Sequence, residues 1–304
     1  MYDVMLDEAN LWLNEPPKRK RKLEAPPAPI EDYSSAPLSD SDEDTEIDLV
    51  GKAKYRQQVM ESGGFDVDPL LVRYGKLRLY GSAPDTILFS KVGLHCYNFD
   101  KGTNLQFRTV KKANTEFVSF LTYYITLEAM DPLKNALVTF QTSVWDAATK
   151  NKESLRLITK VSRIAGTEEE TSLWDSDGVD EFYNKDDMSQ WLEDDALTGS
   201  DKLQYYEVKK SDLRDNEWMY LYAEVALFSK CAIDLSAYLP VEMKRVVVRT
   251  REDVEPSMKL KSHNATFYMN FKTRRGQDCR GIVRRTTDGR PQHMSLQVKC
   301  WIDK

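Results

Sequence analysis

Residues 82–145 read SAPDTILFSKVGLHCYNFDKGTNLQFRTVKKANTEFVSFLTYYITLEAMDPLKNALVTFQTSVW. This stretch decides the fold class. Ser82-Ala83-Pro84-Asp85 sets a hydroxyl, a proline and a carboxylate in the order of a helix start resembling a capping box. Leu88, Val92, His95, Cys96 and Phe99 then recur at helical spacing, with Lys91, Asn98 and Lys101 on the opposite face and Gly102 as a stop. The spacing predicts one long helix with a single buried stripe.

Three strands are predicted to follow. Residues 105–112 open the first, with Leu105 and Phe107 on one face. In the second, Leu121, Tyr123, Ile125, Leu127 and Ala129 share a face opposite Thr122, Tyr124, Thr126 and Glu128, the pattern of a half-buried antiparallel strand. After turn chemistry at Asp131-Pro132-Leu133-Lys134-Asn135, the residues Ala136, Val138, Phe140, Thr142 and Val144 resume the period of two. A helix across an antiparallel meander, an α+β unit, is the expectation.

The runs Gly93-Leu94-His95-Cys96-Tyr97-Asn98, Gly102-Thr103-Asn104-Leu105-Gln106-Phe107 and Tyr123-Tyr124-Ile125-Thr126-Leu127-Glu128-Ala129 resemble the plant cystatin-related pattern. Ser62-Gly63-Gly64-Phe65-Asp66-Val67-Asp68, Asp253-Val254-Glu255-Pro256, Asn264-Ala265-Thr266-Phe267-Tyr268 and Ile282-Val283-Arg284-Arg285-Thr286-Thr287-Asp288-Gly289-Arg290-Pro291 narrow it. They are similar to a crucifer-expanded plant family of proteins without an assigned activity, named after a male-sterility protein. The resemblance runs from Lys52 to Trp301 and implies a cystatin-like helix packed on an antiparallel sheet, with a role in reproductive development.

Outward from this core, the chain reads as four parts. Residues 1–50 are a disordered tail, because Pro16-Pro17, Pro26-Pro27 and Pro29 and a high charge content deny it regular structure. Residues 51–166 form the cystatin-like domain, closed by a strand at 155–164. Residues 167–201 are an acidic-aromatic insertion or linker, and residues 202–304 a second antiparallel, β-rich lobe. In that lobe 203–208, 218–228, 241–250 and 265–271 read as strands, although 218–228 is apolar on both faces and fits a buried helix equally. A terminal hairpin joins 279–286 to 294–300 across Asp288-Gly289.

At 304 residues and a formal charge of −6, indiscriminate coating of nucleic acid is disfavoured. Met1 to Glu15 has no basic flank before an apolar core, and no run is apolar enough to cross a bilayer, so an intracellular protein without a membrane span is expected. Cys96, Cys231, Cys279 and Cys300 stand singly and read as reduced core thiols.

Targeting and partner signals lie outside the opening stretch. Lys18-Arg19-Lys20-Arg21-Lys22, flanked by prolines, matches a nuclear localisation signal for a nuclear import receptor. Nucleus is the expected compartment, otherwise cytoplasm. Ser39, Ser41 and Thr45 precede acids at the spacing of an acidophilic kinase site. Trp174, Phe182, Tyr183 and Trp191 interrupt a dense run of acids, which suits docking of an unidentified protein partner or packing back onto the domain.

Catalytic and cofactor chemistry is not expected. No phosphate loop, dinucleotide fingerprint, nucleophile elbow or zinc motif is present, and His95, His263 and His293 stand apart in sequence. No cofactor or metal is called for. Arg274, Arg275, Arg280, Arg284, Arg285 and Arg290 gather on the terminal hairpin, where a solvated face is preferred over nucleic-acid contact. Three functions remain, the last an enzyme of unknown class, because cystatin-like sheets can carry a pocket that sequence alone does not reveal. One is a non-enzymatic nuclear protein-interaction module. Another, suggested by the resemblance, is a cysteine-protease inhibitor of cystatin type, disfavoured because the connection placed at Ala113-Asn114-Thr115-Glu116 lacks the Gln-x-Val-x-Gly wedge and Trp145 follows Val144 rather than a proline.

Overall fold

Alternating residues in ten segments build one antiparallel sheet, seen in a computed structural model that describes residues 42–303 apart from 118–119, 148–153, 168–171, 186–187, 189 and 194. In chain order the elements are α1 (Asp42–Ser62), β1 (Leu77–Tyr80), α2 (Pro84–Lys101), β2 (Gln106–Phe117), β3 (Leu121–Asp131), β4 (Ala136–Ala147) and β5 (Ser154–Ile164). There follow α3 (Glu181–Lys185), β6 (Tyr205–Glu207), α4 (Lys210–Asp215), α5 (Trp218–Cys231), β7 (Glu242–Arg249), α6 (Pro256–Leu260), β8 (Ala265–Lys272), β9 (Asp278–Thr286) and β10 (Met294–Ile302). The protein is α+β, with a large antiparallel sheet and few helices.

The sheet order is β1-β2-β3-β4-β5-β10-β9-β8-β7-β6. Each half of the chain therefore lays down a strand, a long helix and four more strands, and the two halves meet where their last strands pair. That seam runs antiparallel from Met294↔Thr159 to Lys299↔Ser154. The two expected lobes thus share one sheet and one hydrophobic core, and the chain from Glu43 onward is one compact unit. No local pattern announces a pairing between strands so far apart in sequence.

Both long helices cover the same face. α2 buries Leu88, Val92, His95 and Cys96 of the expected stripe, leaves Phe99 half-buried, and buries Phe89, Ser90 and Leu94 besides. Its cap differs from expectation by one residue. Ala83 is the N-cap, and its amide donates to Thr86 Oγ1 at 2.8 Å, while Gly102 ends the helix in the left-handed region at φ 63°. At Gly93 the helix touches the sheet: a Cβ there would lie 1.9 Å from Thr142 Oγ1, so only glycine permits this approach.

α5 corrects the reading of 218–228 as a strand. Its Ala223, Ala226 and Leu227 are good helix formers, and it is wrapped by the sheet on one side and α2 on another, which removes the amphipathic stripe. Phe89 meets Phe228 edge-on at 5.6 Å, and Lys91 pairs with Glu224 at 3.0 Å. The expected strand at 203–208 is shorter, and helical at its start.

Two further layers cover the opposite face. Ahead of β1, α1 and the turn after it sit on β1 to β3: Tyr55 Oη accepts from Leu77 N at 3.1 Å, and Phe65 packs edge-on against Tyr124. Asn114 Nδ2 donates to Gly64 O at 2.8 Å, inside β2. The connection predicted at 113–116 is therefore strand; Asn114 faces this covering turn, and the hairpin lies beyond Phe117. Helix α1 begins at Asp42, so the irregular tail expected to residue 50 stops short of it, and the remainder of that tail lies outside the described residues.

Candidate functional site

Three places in the fold carry chemistry. The first is the end of the sheet where β2 turns into β3. Phe117 is 72% exposed and Phe120 36%. Phe120 lies 6.0 Å from the half-buried Trp145 of β4, whose ring in turn carries Lys160 Nζ 3.6 Å above its centre. Burial pulls the Lys160 ammonium down to about 8, so at neutral pH it is a cation close to releasing its proton. Phe117 and Phe120 thus leave apolar surface in water at this end of the sheet.

The acidic-aromatic segment makes the second. Its aromatics, the sequence-predicted partner residues, lie on the protein's own sheet. Trp174 is buried with Ala147, Ile158 and Val179, and Tyr183 is buried with its hydroxyl accepting from Arg251 N at 2.8 Å. Phe182 is half-buried under Arg249, and half-buried Trp191 packs edge-on against Tyr268 and Trp301. Aromatic burial has outweighed the solvation of the acids around it. Trp174 and Tyr183 are spent on the fold; Phe182 and Trp191 keep a partial outer surface.

At the front of this segment the structure joins residues that sequence spacing keeps apart. His293 Nδ1 is 2.8 Å from Asp288 Oδ2, with side chains 1% and 0% exposed, and Ser172 Oγ is 3.3 Å from His293 Nε2. Asp288 Oδ2 also accepts from Asp175 N at 2.9 Å, and the Arg290 guanidinium donates to Leu173 O. Sequence reasoning missed this array. Its only local trace is an aspartate five residues before a histidine in a hairpin turn, and Ser172 is over a hundred residues away.

The third place is sealed. Arg285 is 0% exposed, and among the described residues no carboxylate pairs with it. Its guanidinium donates to Tyr222 Oη at 3.0 Å, Leu260 O at 3.0 Å and Ser262 O at 2.6 Å, and lies 4.0 Å over the Phe99 ring. Arg284 is buried as well. The expectation of a solvated arginine face fails at these two positions; at Arg285 aromatic rings, a hydroxyl and two carbonyls take the place of water around the terminal nitrogens, while the buried Nε has no hydrogen-bond partner. Arg275 pairs with Asp234 at 2.9 Å and Arg280 lies over Trp191, while Arg274 is exposed.

Of the other predicted residues, Lys18, Arg19, Lys20, Arg21, Lys22, Ser39 and Ser41 lie outside the described residues, and Thr45 falls in α1. The cysteines are free thiols, with Cys96, Cys279 and Cys300 buried and Cys231 half-buried. Among the described residues no cluster of histidine, cysteine and carboxylates could hold a metal, and no helix is long and apolar enough to cross a membrane. An open cleft of about 510 Å³ beside α1 is lined by Glu61, Asp66, Asp68 and Lys112, with Lys112 paired to Asp66.

Comparison with known proteins places this architecture. UPF0725 protein At2g20620 of Arabidopsis thaliana is 39% identical over 290 residues, covering 95% of this chain and 91% of its own. Residues 188–296 match the family model described as Protein MS5. The chain belongs to the plant MS5-like family. UPF0725 protein At4g29550 of the same plant is 40% identical to this MS5-like chain over 274 residues, covering 84% of it and 76% of the relative. The crystal structure of MS5 from Brassica napus shares the fold, with a TM-score of 0.58 at 24% identity, over 78% of the MS5-like chain and 100% of that structure.

Proposed function

We propose that this MS5-like protein is a protein-interaction module of plant nuclei acting in male fertility, and that it is built of two cystatin-type units side by side. Its family supports the process. The repeated order of one strand, one helix and four strands supports the architecture. In a cystatin-type unit the contact end is formed by the start of the first strand and the hairpins joining the second to the third and the fourth to the fifth. In the first half that end carries Phe117 and Phe120 beside Trp145.

The exposure of those two phenylalanines is the observation on which the reading rests. Buried aromatic anchors dominate the energetics of protein interfaces, and truncating one costs about 2 kcal/mol or more. Replacing both by serine removes the anchors while leaving the core untouched. The test compares proteins co-purifying from flower-bud nuclei with wild type and with the Phe117→Ser/Phe120→Ser variant. Partners lost from the variant support the reading; an unchanged set contradicts it.

Nuclear entry is assigned to Lys18, Arg19, Lys20, Arg21 and Lys22, read by an import receptor, with Ser39, Ser41 and Thr45 as phosphorylation sites that would add negative charge beside them. A fluorescent fusion with the five basic residues changed to alanine should leave the nucleus. Cystatin-type inhibition of a cysteine protease has less support. The β2–β3 connection reads Phe117-Val118-Ser119-Phe120, which again supplies neither the glutamine nor the glycine of that wedge. Nucleic acid is the weaker partner class, since Arg284 and Arg285 are buried.

A further inference from the structure

We infer that Ser172, His293 and Asp288 are a nucleophilic relay, and that Ser172 forms a covalent acyl adduct with small carboxylic esters. This goes beyond a binding role and departs from the expectation of a chain without catalytic chemistry. The order of contacts is hydroxyl to Nε2 at 3.3 Å and Nδ1 to carboxylate at 2.8 Å. Nucleophile, base and orienting acid stand in that order in serine hydrolases on unrelated folds, where geometry rather than sequence position identifies them.

The hydrogen bonds set the direction of the relay. Asp288 Oδ2 accepts from Asp175 N and faces His293 Nδ1, so a neutral imidazole that donates to this carboxylate does so from Nδ1. That leaves the Nε2 lone pair facing the Ser172 hydroxyl. A purely structural staple would not need this last contact. Asp288 to Asp175 N and Arg290 to Leu173 O already fasten the segment to the hairpin.

The imidazole is held on several sides. Trp174 stacks on it with ring centres 5.9 Å apart and planes 23° apart. The preceding residue, Gln292, sits in the left-handed region at φ 62°, a conformation unusual for a residue with a side chain. Its side-chain oxygen accepts from Ser162 N and its carbonyl from Cys96 Sγ, so the strained backbone is locked against β5 and α2. Arg290 donates to Leu173 O and pairs with Asp175 at 3.4 Å, which fixes the backbone on the C-terminal side of Ser172.

Ser172 itself is only half-buried, so the ester would approach from solvent, which suits a small acyl group. In the step, Ser172 Oγ bonds to the carbonyl carbon as its proton passes to His293 Nε2. The carbon–oxygen bond to the alcohol then breaks, and the alcohol leaves with that proton. Water attacks the acyl-serine through the same base, releases the carboxylic acid and restores the hydroxyl.

Full-length protein treated with an alkyl fluorophosphonate tests this, since the Oγ–phosphorus bond forms as fluoride leaves. Peptide mass spectrometry should find the phosphonyl group on Ser172, none there in Ser172→Ala, and labelling at least 100-fold slower in His293→Gln and Asp288→Asn. With p-nitrophenyl acetate present in excess, labelling should slow by competition, and acid quenching during turnover should trap an acetyl group on Ser172, a readout on wild type that needs no variant to fold. No adduct on Ser172 in folded wild type would overturn the inference, as would equal labelling rates in folded His293→Gln.

Discussion

His95 Nε2 lies 3.0 Å from Tyr222 Oη, and this bond links the long helix of one half to the long helix of the other. Arg285 donates to the same tyrosine oxygen, so the Tyr222 proton points at His95, which accepts it as a neutral imidazole. Trp218 stacks on the histidine at 5.2 Å. A cation, a phenol and an imidazole in series, shut away from water, hold the two halves in one arrangement.

Burial, followed by the charge of Arg285, pushes His95 down to about 3. Its unfolded value is near 6.5, so between pH 6.5 and 3 the unfolded chain binds a proton that the folded protein refuses. Stability is therefore held above pH 6.5 and falls below it, by about 1.4 kcal/mol per pH unit from this group. Urea titrations at pH 7, 6 and 5 should show that slope, and His95→Gln, which keeps an acceptor for Tyr222, should flatten it.

Removing the core cation has a steeper cost. Arg285→Ala leaves the Leu260 and Ser262 carbonyls and the Tyr222 hydroxyl without their donor in a sealed site, and opens a void under Phe99. A loss of about 3–5 kcal/mol is expected. Arg285→Met fills the volume without the charge and should cost less. Chemical denaturation of the two variants checks the ranking.

Trp174→Ala should free the acidic-aromatic segment without touching the exposed edge. The lost packing is worth about 3–5 kcal/mol locally. Hydrogen exchange and proteolysis should then rise across residues 172–204, while partner recovery through Phe117 and Phe120 is retained. Loss of partners with no rise in exchange would instead make Trp174 a contact residue.

Thiol reactivity follows burial. Burial raises the Cys279 and Cys300 thiols to about 11 and about 12, and raises Cys96 further, so few thiolates exist at pH 8. A disulfide reagent on native protein should modify Cys231 first and leave Cys96 untouched until unfolding.

Much of this fold is legible in the residues. The alternation from Leu121 to Ala129 and from Ala136 to Val144 reports strands that are strands, since one face of each is buried. Asn114 misleads because its amide nitrogen donates to Gly64, in a segment fifty residues earlier, so a polar strand residue reads as a turn. Trp218 to Phe228 carries no period because its surroundings are apolar on several sides. The seam between β5 and β10, and the meeting of Ser172 with His293, exist only through long-range pairing, which local chemistry cannot encode. The aromatics of the acidic segment carried two readings, and Trp174 and Tyr183 settle into the one that buries them.

The contact end at Phe117 is tested most directly by site-specific photocrosslinking. A benzoylphenylalanine at position 117 is compared, in flower-bud nuclei, with the same residue at position 133, where Leu133 is 92% exposed at the opposite end of the β3–β4 hairpin. A discrete crosslinked partner at position 117, absent at 133, is the expected result. Equal crosslinking at both positions, or none at 117, would contradict the assignment of this end as the binding surface.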